Sequence, residues 1–546
     1  MAFIKVQKLK MNDDGVVIGG SAAIVESKYQ PQERVKPHGN AHSKHVVREK
    51  LGKVVWLAND RKKGIFSSPD RGLVEYSVQE DSFVSVSLDD PRIANSGRVQ
   101  RPRKHVVFGD IHWLLCFLKQ NHMCEILAKA FPDKSFLSRV YLHILHTILK
   151  DGGRISCDNF IAKSVASYIF HDISISSLHC DSKFFDVMGD EATRLSFFKA
   201  YVTNMKKRFP DFGNGCYIDS TPLPNEAKDN PLNYFCSHGT DSAKLQTRLA
   251  LVLDKTIGRT VWYTALSGNI NDINTLKNIK KDVYSSIGIT IKSFILDAGY
   301  ISKELIHTMC SEEGKDFIGR MPNRKGFQYK ELFNTYVKPF ISKLKGYQFF
   351  RGGHTYFGNK TKWNFWGDEV YAYLYVDKNN ALNTNQDFHN KNQDEMENMN
   401  EEELFWHANK GGYFVLLSNI DKNTDEILDN YLGRVEIEYL FKTAKEYIGL
   451  LPLSKWTDQR IKGKILLDII CTNILLDIRN IINKDNIPVS ELWGRLQSLT
   501  CFSESKNNIR VVTPNKKVKL YYQYLDDPLP PETIDIQKMR QDLHLV

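Results

Sequence analysis

The sequence predicts an α/β fold whose main domain is interrupted by a β-rich insertion and preceded by a β-rich N-terminal region and a helical domain. Three observations support this prediction. Residues 211–322 alternate strand and helix patterns in the order β-β-β-α-β-α-β, residues 106–208 carry apolar residues at helical spacing, and residues 323–407 contain alternating aromatic runs. At 546 residues the chain is too long for one core, so several domains are expected.

These patterns divide the chain into six segments. Helical domains such as that predicted for 106–210 often bind DNA through a helix in the groove. A domain whose helices only pack against one another is the equal alternative. The Asn-rich acidic stretch 379–403 is typical of a mobile loop. The segments are 1–105, a basic β-rich N-terminal region; 106–210, a helical DNA-binding domain; 211–322, the first part of the main α/β domain; 323–407, the β-rich insertion with the Asn-rich loop; 408–485, the second part of the main domain; and 486–546, the C-terminal region.

The charge is unevenly distributed along the chain. The net charge is +10, which permits binding to a polyanion without requiring it. Residues 1–104 hold 19 Lys and Arg against 12 Asp and Glu. A basic N-terminal region suits nucleic acid better than a small acidic substrate. A soluble basic protein without such a partner is the alternative, and charge alone does not separate the two.

The cysteines and apolar runs indicate the compartment. None of the nine cysteines forms a C-x-x-C pair, which favours buried thiols in a reducing compartment over a disulfide scaffold or a zinc site. The N-terminus has no apolar run of signal-peptide length. The most apolar run, "KILLDIICTNILLDI", is broken by Asp468 and Asp477 and is too short to span a membrane. We therefore expect a soluble cytoplasmic protein with no membrane partner.

Two aspartates stand at the ends of predicted strands. Asp219 ends the strand in "YIDST", and Asp297 ends the strand in "FILDAGY". Reactive groups gather at the C-terminal strand edges of open α/β sheets. An aspartate beside Gly or Ser at such an end is also a common turn residue, so neither acid is assigned a function by itself.

A third acid lies on one long predicted helix that contains "YLGRVEIEYLFKTAK". On a continuous helix Glu436 lies about 160° away from Glu438. Taken alone, the position of Glu438 favours a structural interpretation, an ion pair with Arg434 at i,i+4 spacing. The residues that share an arc of about 80° on this helix are Tyr431, Arg434, Glu438, Phe441 and Lys445.

Together, three carboxylates on two strands and one helix can converge on a single site. Unscreened, they would repel one another and raise their own pKa values, and divalent cations relieve that repulsion. Two such ions about 3.5–4 Å apart can activate a water and stabilise the leaving oxygen of a phosphodiester. Ligation by oxygen alone favours Mg²⁺ or Mn²⁺ over Zn²⁺.

Four stretches resemble the DDE transposases of bacterial insertion sequences, of the IS-four type with a large β-rich insertion. "YIDSTPL" and "LDAGYISKEL" resemble the first and second aspartate motifs, and "SGNINDINTL" resembles the G-N-x-x-D segment. The fourth stretch matches the signature Y-x(2)-R-x(3)-E-x(6)-K at every spacing through Tyr431, Arg434, Glu438 and Lys445.

The resemblance implies an RNase H-like catalytic domain that cuts DNA at transposon ends and joins the freed 3′-hydroxyl to a target. Asp219, Asp297 and Glu438 would be the catalytic residues and the ligands of two Mg²⁺ or Mn²⁺ ions. The resemblance also implies DNA-binding roles for Tyr431, Arg434 and Lys445. Some relatives carry Arg where this chain has Ala298, so that contact is missing here or supplied elsewhere.

The partners implied by the resemblance are double-stranded DNA at transposon ends and target, and further copies of the chain. Two DNA ends must be brought together, so a homodimer or higher assembly is expected in the DNA complex. The protein would be bacterial and nucleoid-associated when bound to DNA. Two alternatives stay open: a metal-dependent nuclease without strand transfer, and a domesticated transposase that acts only as a DNA-binding protein.

Overall fold

The computed structural model shows a mixed α/β protein that divides into two compact units. The first unit comprises Met1–Val106, Thr500–Thr513 and Pro530–Asp535, and the second comprises the rest of the chain. The structure describes all residues except 1, 13–14, 31–41, 89, 94–103, 150–156, 174–181, 226, 228, 236–243, 271–273, 278, 280–285, 313, 325, 343–346, 392–398, 454, 506 and 527–528. The division into two units does not test the six segments predicted from the sequence, which therefore stay a prediction.

The first unit contains a six-stranded antiparallel sheet in which each strand pairs with the next. Its inner face buries Ile24, Val54, Phe66 and Tyr76, as expected for strands that alternate apolar and polar residues. The strands are Ala2–Met11, Val17–Gln30, His42–Leu57, Lys63–Ser68, Gly72–Ser77 and Ser82–Ser85. The same unit pairs three short antiparallel strands: Thr500–Ser503, Asn508–Val511 and Thr533–Asp535.

The second unit begins with short helices that bury the apolar residues of the helical pattern, among them Trp113 and Leu114. The Trp113 indole N–H donates to the Tyr521 carbonyl at 2.9 Å, which ties the first helix to the C-terminal part of the same unit. These helices are Gly109–Gln120, Met123–Ala130, Lys134–Leu149, Cys157–Ala162, Ala166–Ile169, Ser182–Met188 and Glu191–Arg208. Later helices are Lys303–Ser311, Tyr329–Leu332, Lys338–Ser342, Val489–Leu496, Lys516–Tyr522 and Ile536–Asp542.

A large mixed sheet forms the centre of the second unit, and we label its main strands β1 to β9. Its strand order is β3-β2-β1-β4-β5-β9-β8-β7-β6, with the short strand Tyr234–Phe235 paired to β2. β1 runs parallel to β4, and β4 runs parallel to β5. The strands are β1 Gly215–Pro224, β2 Leu245–Asp254, β3 Thr260–Ser267, β4 Ser293–Leu296, β5 Asp316–Arg320, β6 Tyr347–Arg351, β7 His354–Phe365, β8 Asp368–Asp377 and β9 Tyr413–Ser418.

The insertion extends this sheet. Strands β6, β7 and β8 form an antiparallel ladder, and β8 pairs with β9 from Tyr371↔Ser418 to Val376↔Tyr413. β9 in turn pairs with β5. The aromatic alternating runs are therefore hydrogen-bonded into the same sheet as the strands that carry the two aspartates.

The prediction of a mobile loop at 379–403 is wrong for the residues that the structure describes. Lys378–Lys391 and Glu401–Lys410 are helices, and residues 392–398 lie outside the described part. The Asp377 carboxylate accepts from the backbone N–H groups of the first helix, and Asn400 forms a capping box with Glu403 at the start of the second. Asn and Asp count as loop residues by composition, but here they supply the caps that helix starts require.

The elements that build the candidate site are completed by three helices: α1 Thr424–Leu432, α2 Val435–Thr443 and α3 Asp458–Ile482. α3 is buried along most of its length because its apolar residues surround the whole helix. The run that contains Asp468 and Asp477 is therefore a buried helix. None of the described helices is long and apolar enough to cross a membrane. The described cysteines are free thiols, most of them buried.

A close backbone approach explains the glycine in the second turn of α3. A Cβ built on Gly463 would lie 2.2 Å from the Phe185 carbonyl oxygen, whereas one built on Gly494 in the helix Val489–Leu496 would meet nothing within 4 Å. Alanine favours helix by about 1 kcal/mol at an open position. The two glycines therefore respond oppositely to the same substitution.

We predict that Gly463→Ala lowers the free energy of unfolding by about 1–3 kcal/mol, because the helix must shift to relieve the clash. Gly494→Ala is the matched control and raises the free energy of unfolding by about 0.5–1 kcal/mol. Urea unfolding of the full chain measures both. An increase for Gly463→Ala would contradict the packing described.

Candidate functional site

The parallel register of three strands aligns the two aspartates. Ile218 pairs with Leu296 between β1 and β4, and Leu296 pairs with Gly319 between β4 and β5. Neighbouring strands lie about 4.8 Å apart, and the residues after these pairs lie on a common face. The residues that form this row are Asp219, Asp297 and Arg320.

The prediction that β1 ends at Asp219 is wrong. The strand continues to Pro224, because it stays paired with β2 as far as Gln246↔Pro224. The pairing with β4 stops at Ile218, so the Asp219 side chain lies where one neighbouring strand ends. Asp297 directly follows β4, as the sequence predicts.

The prediction of one continuous helix through residues 431–445 is also wrong. α1 ends at Leu432 and α2 begins at Val435. At the junction the Arg434 N–H donates to the Tyr431 carbonyl and the Ile437 N–H donates to the Arg434 carbonyl, both at 3.0 Å. These i→i+3 bonds tighten the backbone, so the single 80° arc calculated for a regular helix does not apply.

The junction is packed against β1 through Gly433. A Cβ at this position would lie 2.0 Å from the hydroxyl oxygen of Tyr217, although the backbone angles of Gly433 are in the right-handed helical region. Tyr217 is a buried residue of β1. Burial raises the pKa of Tyr217 to about 12, so its hydroxyl stays neutral. Glycine therefore lets α1 and α2 approach the strand that carries Asp219.

Arg434 lies at this junction and joins the three carboxylates. Its Nη1 donates to Asp219 Oδ2 at 2.6 Å, and its Nη2 donates to Glu438 Oε1 at 3.0 Å. Nη2 also lies 4.0 Å from Asp297 Oδ1. The i,i+4 ion pair that the helix spacing allowed is therefore present, and it belongs to a larger cluster. Glu438 is 57% exposed and Asp219 is 19% exposed, so the cluster is open on the helix side.

The electrostatics of the cluster keep Arg434 charged. Burial by itself would lower the pKa of Arg434, but the carboxylates of Asp219 and Asp297 raise it, and the pKa is raised overall. Tyr431 donates its hydroxyl to Asp297 Oδ1 at 3.3 Å. Burial, followed by the charge of Asp297, raises the pKa of Tyr431 to about 12, which keeps this donor protonated.

Lys445 lies beyond α2, in a π-helical turn at Ala444–Ile448. Its Nζ donates to Thr221 Oγ1 at 2.6 Å and contacts the Pro222 carbonyl at 3.5 Å. Burial lowers the pKa of Lys445. The structure therefore places this cation along β1, two residues beyond Asp219.

The second glutamate of the helix lies elsewhere. Glu436 is exposed, and its carboxylate is near Gly258, in the turn between β2 and β3. The structure brings together Tyr431, Arg434, Glu438 and the two aspartates, and it does not bring Glu436 to them.

The donor set of the cluster suits a hard divalent cation, because its ligands are carboxylate oxygens alone. Its three carboxylates also surround a positive charge, the guanidinium of Arg434. Within the described part of the chain, no group of three or more His, Cys, Asp or Glu side chains is arranged to hold a metal ion. The carboxylates thus fit the chemistry of such an ion, while the guanidinium occupies the place between them.

Sequence reasoning missed two arginines near the site. Arg320 ends β5, and its positive charge opposes the rise of the Tyr431 pKa. Arg248, on β2, donates to Ser220 Oγ at 2.9 Å and holds the residue after Asp219. The position of Arg320 at the end of the next parallel strand, in "KDFIGRMP", could have indicated that it lies beside the two aspartates. Arg248 carried none, because its role depends on the pairing of β2 with β1.

We predict that Gly433→Ala lowers the free energy of unfolding by about 1–3 kcal/mol, because the added methyl group meets the Tyr217 hydroxyl. Tyr217→Phe removes that oxygen, so the double variant should recover part of the loss. Urea unfolding of both single variants and the double variant gives the coupling. Additive losses would contradict the contact.

Comparison with known proteins finds a family model that matches part of the chain. Residues 211–474, just under half of it, match the family model described as "Transposase DDE domain". No curated protein matches the chain. A cryo-EM structure of the piggyBac transposase synaptic complex with hairpin DNA is similar over 79% of this chain and 84% of that chain, at 11% identity and a TM-score of 0.37, a level that does not establish a shared fold. The family match supports a DDE transposase domain in residues 211–474.

Proposed function

We propose that the protein is a DDE transposase that cuts DNA at transposon ends and joins the 3′-hydroxyl to target DNA. The observation that carries this proposal is the convergence of Asp219, Asp297 and Glu438 on Arg434 within the matched segment. The order β3-β2-β1-β4-β5, antiparallel on one side of β1 and parallel on the other, supports an RNase H-like arrangement of the catalytic domain.

Transposases of the DDE family generally use divalent metal ions. We propose two Mg²⁺ or Mn²⁺ ions, held by Asp219, Asp297 and Glu438, because these groups are oxygen donors that converge on one point. When bound, such ions activate a water and stabilise the leaving oxygen of a phosphodiester. The side chains of this chain supply the ligands, the orientation of the DNA and the balance of charge.

Arg434 has two competing partners in this proposal. In the structure its guanidinium neutralises the carboxylates that would hold metal. A guanidinium also binds phosphate through paired N–H groups. We infer that a DNA phosphate draws Arg434 away from Asp219 and frees the carboxylates, so that metal binding is coupled to DNA binding.

The other proposed DNA contacts lie beside the row of Asp219, Asp297 and Arg320. Lys445 and Tyr431 flank the carboxylates on either side and would hold the strand near the scissile bond. Arg320 lies beside Tyr431 and is exposed, so it would supply the cation that Ala298 does not. A DNA-binding role for 106–210 belongs to the same proposal and rests on the helical pattern of that segment. Assembly as a homodimer or larger complex rests on the resemblance.

We predict that Glu438→Gln lowers Mg²⁺-dependent cleavage by at least about a hundredfold, since the loss of even an outer-shell partner costs a metal site about 10–100-fold. Glu436→Gln, on the same helix, is the matched control and should stay within about twofold. The substrate is plasmid DNA that carries the sequences flanking the gene. It is incubated with the protein in Mg²⁺, and in EDTA as the control without metal.

Binding and joining separate the alternatives. Glu438→Gln should bind the same DNA within about threefold of the original protein, because a lost carboxylate removes no phosphate contact. Transfer of a labelled end to a second plasmid distinguishes a transposase from a nuclease. Cleavage at the original rate in Glu438→Gln would overturn the site, and binding without any cleavage by the original protein would favour the domesticated protein.

We predict opposite effects of Arg434→Gln on two ligands. Without DNA, the variant should bind Mn²⁺ more tightly, because the carboxylates lose their internal cation; electron paramagnetic resonance of free Mn²⁺ measures this. Its affinity for DNA should fall about tenfold and the slope of log affinity against log salt should fall by about 1. Lys442→Gln, an exposed lysine on α2, controls for the loss of one charge. Unchanged Mn²⁺ affinity would refute the competition.

A further inference from the structure

A pocket of about 670 Å³ is lined by residues of α2, of the last turns of α3 and of the helix Val489–Leu496. This volume is within the usual range for small-molecule sites, about 300–1,000 Å³. Tyr439 comes from α2, Arg479 comes from α3, and Val489 begins the following helix. None of the functions proposed above uses these residues.

Arg479 lines this pocket as a cation without an acidic partner. Its Nη1 donates to the Tyr439 hydroxyl at 3.1 Å and to Thr443 Oγ1 at 2.9 Å. Among the residues that the structure describes, no Asp or Glu forms an ion pair with it. The partners of the guanidinium are therefore neutral oxygens, and its charge is left for a ligand to neutralise.

The Nε–Nη2 edge of Arg479 is available for binding. Neither atom donates to a residue in the described part of the chain, and neither atom is buried. This edge carries two parallel N–H groups, the arrangement that binds both oxygens of a carboxylate. The two hydrogen bonds from Nη1 hold the guanidinium in place, so little side-chain entropy is lost when a ligand binds.

Two tyrosine rings lie beside the guanidinium. The Arg479 Cζ is 5.8 Å from the centroid of the Tyr439 ring and 5.2 Å from that of the Tyr447 ring. Both rings line the pocket, together with the buried apolar side chains of Ile482 and Val489. A ligand that carries a flat apolar group next to its negative charge can therefore cover these surfaces while its anion pairs with the guanidinium.

A carboxylate in the lining limits the charge of the ligand. Glu436 lines the pocket, and no residue described by the structure forms an ion pair with it. Its negative charge would repel a second negative charge on the ligand. A monoanion is therefore favoured over a phosphate dianion, and over a nucleic acid strand with its closely spaced phosphates.

We propose that this pocket binds a small aromatic monocarboxylate. The carboxylate accepts from Nε and Nη2 of Arg479, and the aromatic ring of the ligand lies against the rings of Tyr439 and Tyr447. The site goes beyond the proposed function and does not depend on it, because it uses no residue of the carboxylate cluster and needs neither DNA nor metal.

The test is a ligand-observed NMR titration of the full chain at pH 8 with three probes that share a phenylethyl group: 3-phenylpropionate, its neutral amide and 2-phenylethyl phosphate. The carboxylate should bind at least about tenfold more tightly than the amide, because only the carboxylate forms charge-assisted hydrogen bonds to Arg479. It should also bind more tightly than the phosphate, which carries about two negative charges at this pH. Acetate, which has the charge but no ring, should bind more weakly than 3-phenylpropionate.

Three variants locate the binding. Arg479→Gln should abolish the preference for the carboxylate and leave binding of the amide within about twofold. Ser490→Trp introduces a large ring into the lining from an exposed position and should weaken binding of both probes, so the test stands even where Arg479→Gln fails to fold. Arg495→Gln is the matched control, an exposed arginine of the helix Val489–Leu496 outside the lining, and should leave every affinity within about twofold.

Four results would each overturn the site. They are the absence of saturable binding by 3-phenylpropionate, equal affinity for the carboxylate and the amide, a preference that survives Arg479→Gln, and equal weakening by Arg495→Gln. Tighter binding of the phosphate would overturn the limit to one negative charge. Because the samples contain no DNA and no metal, these results are separate from those that test the transposase.

Discussion

Three carboxylates lie close together in this protein because the Arg434 guanidinium lies between them. The register of β1 and β4 places Asp219 beside Asp297, and Glu438 lies near them on α2. Three negative charges are therefore close together. Without a cation such an arrangement is unfavourable. The contact from Arg434 to Asp219 is partly buried, so salt screens it less than it screens an exposed pair. The guanidinium thus neutralises the carboxylates in the folded protein, and another cation could take its place.

The position of Arg434 depends in turn on a backbone junction. The close approach of Gly433 to Tyr217 sets the distance between α1, α2 and β1, and the tightened i→i+3 bonds turn the chain between the two helices. As a result Tyr431 and Glu438 belong to different helices but reach the same group of carboxylates.

Local sequence patterns predicted much of this arrangement. They did not predict the features that depend on contacts between residues far apart in the chain. The α/β class and the order of the strands followed from period and spacing, since these patterns are local. The break at Gly433 was missed because it depends on a tyrosine more than two hundred residues away. The Asn-rich helices were missed because composition ignores capping, and the continuation of β1 past Asp219 was missed because it depends on β2. The roles of Asp219, Asp297 and Glu438 stay predictions from the resemblance, now with a geometry that places them together.

The continuity of the sheet has a mechanical consequence. β6, β7 and β8 are joined to β5 through β9 by unbroken ladders of main-chain hydrogen bonds. To swing the insertion as a separate lid, the chain would have to break the main-chain hydrogen bonds between β5 and β9 together. The insertion is therefore joined by main-chain hydrogen bonds to β5, which ends at Arg320, and through β5 to β4, which precedes Asp297. The outer edge of the insertion and the row of Asp219, Asp297 and Arg320 therefore belong to one hydrogen-bonded sheet.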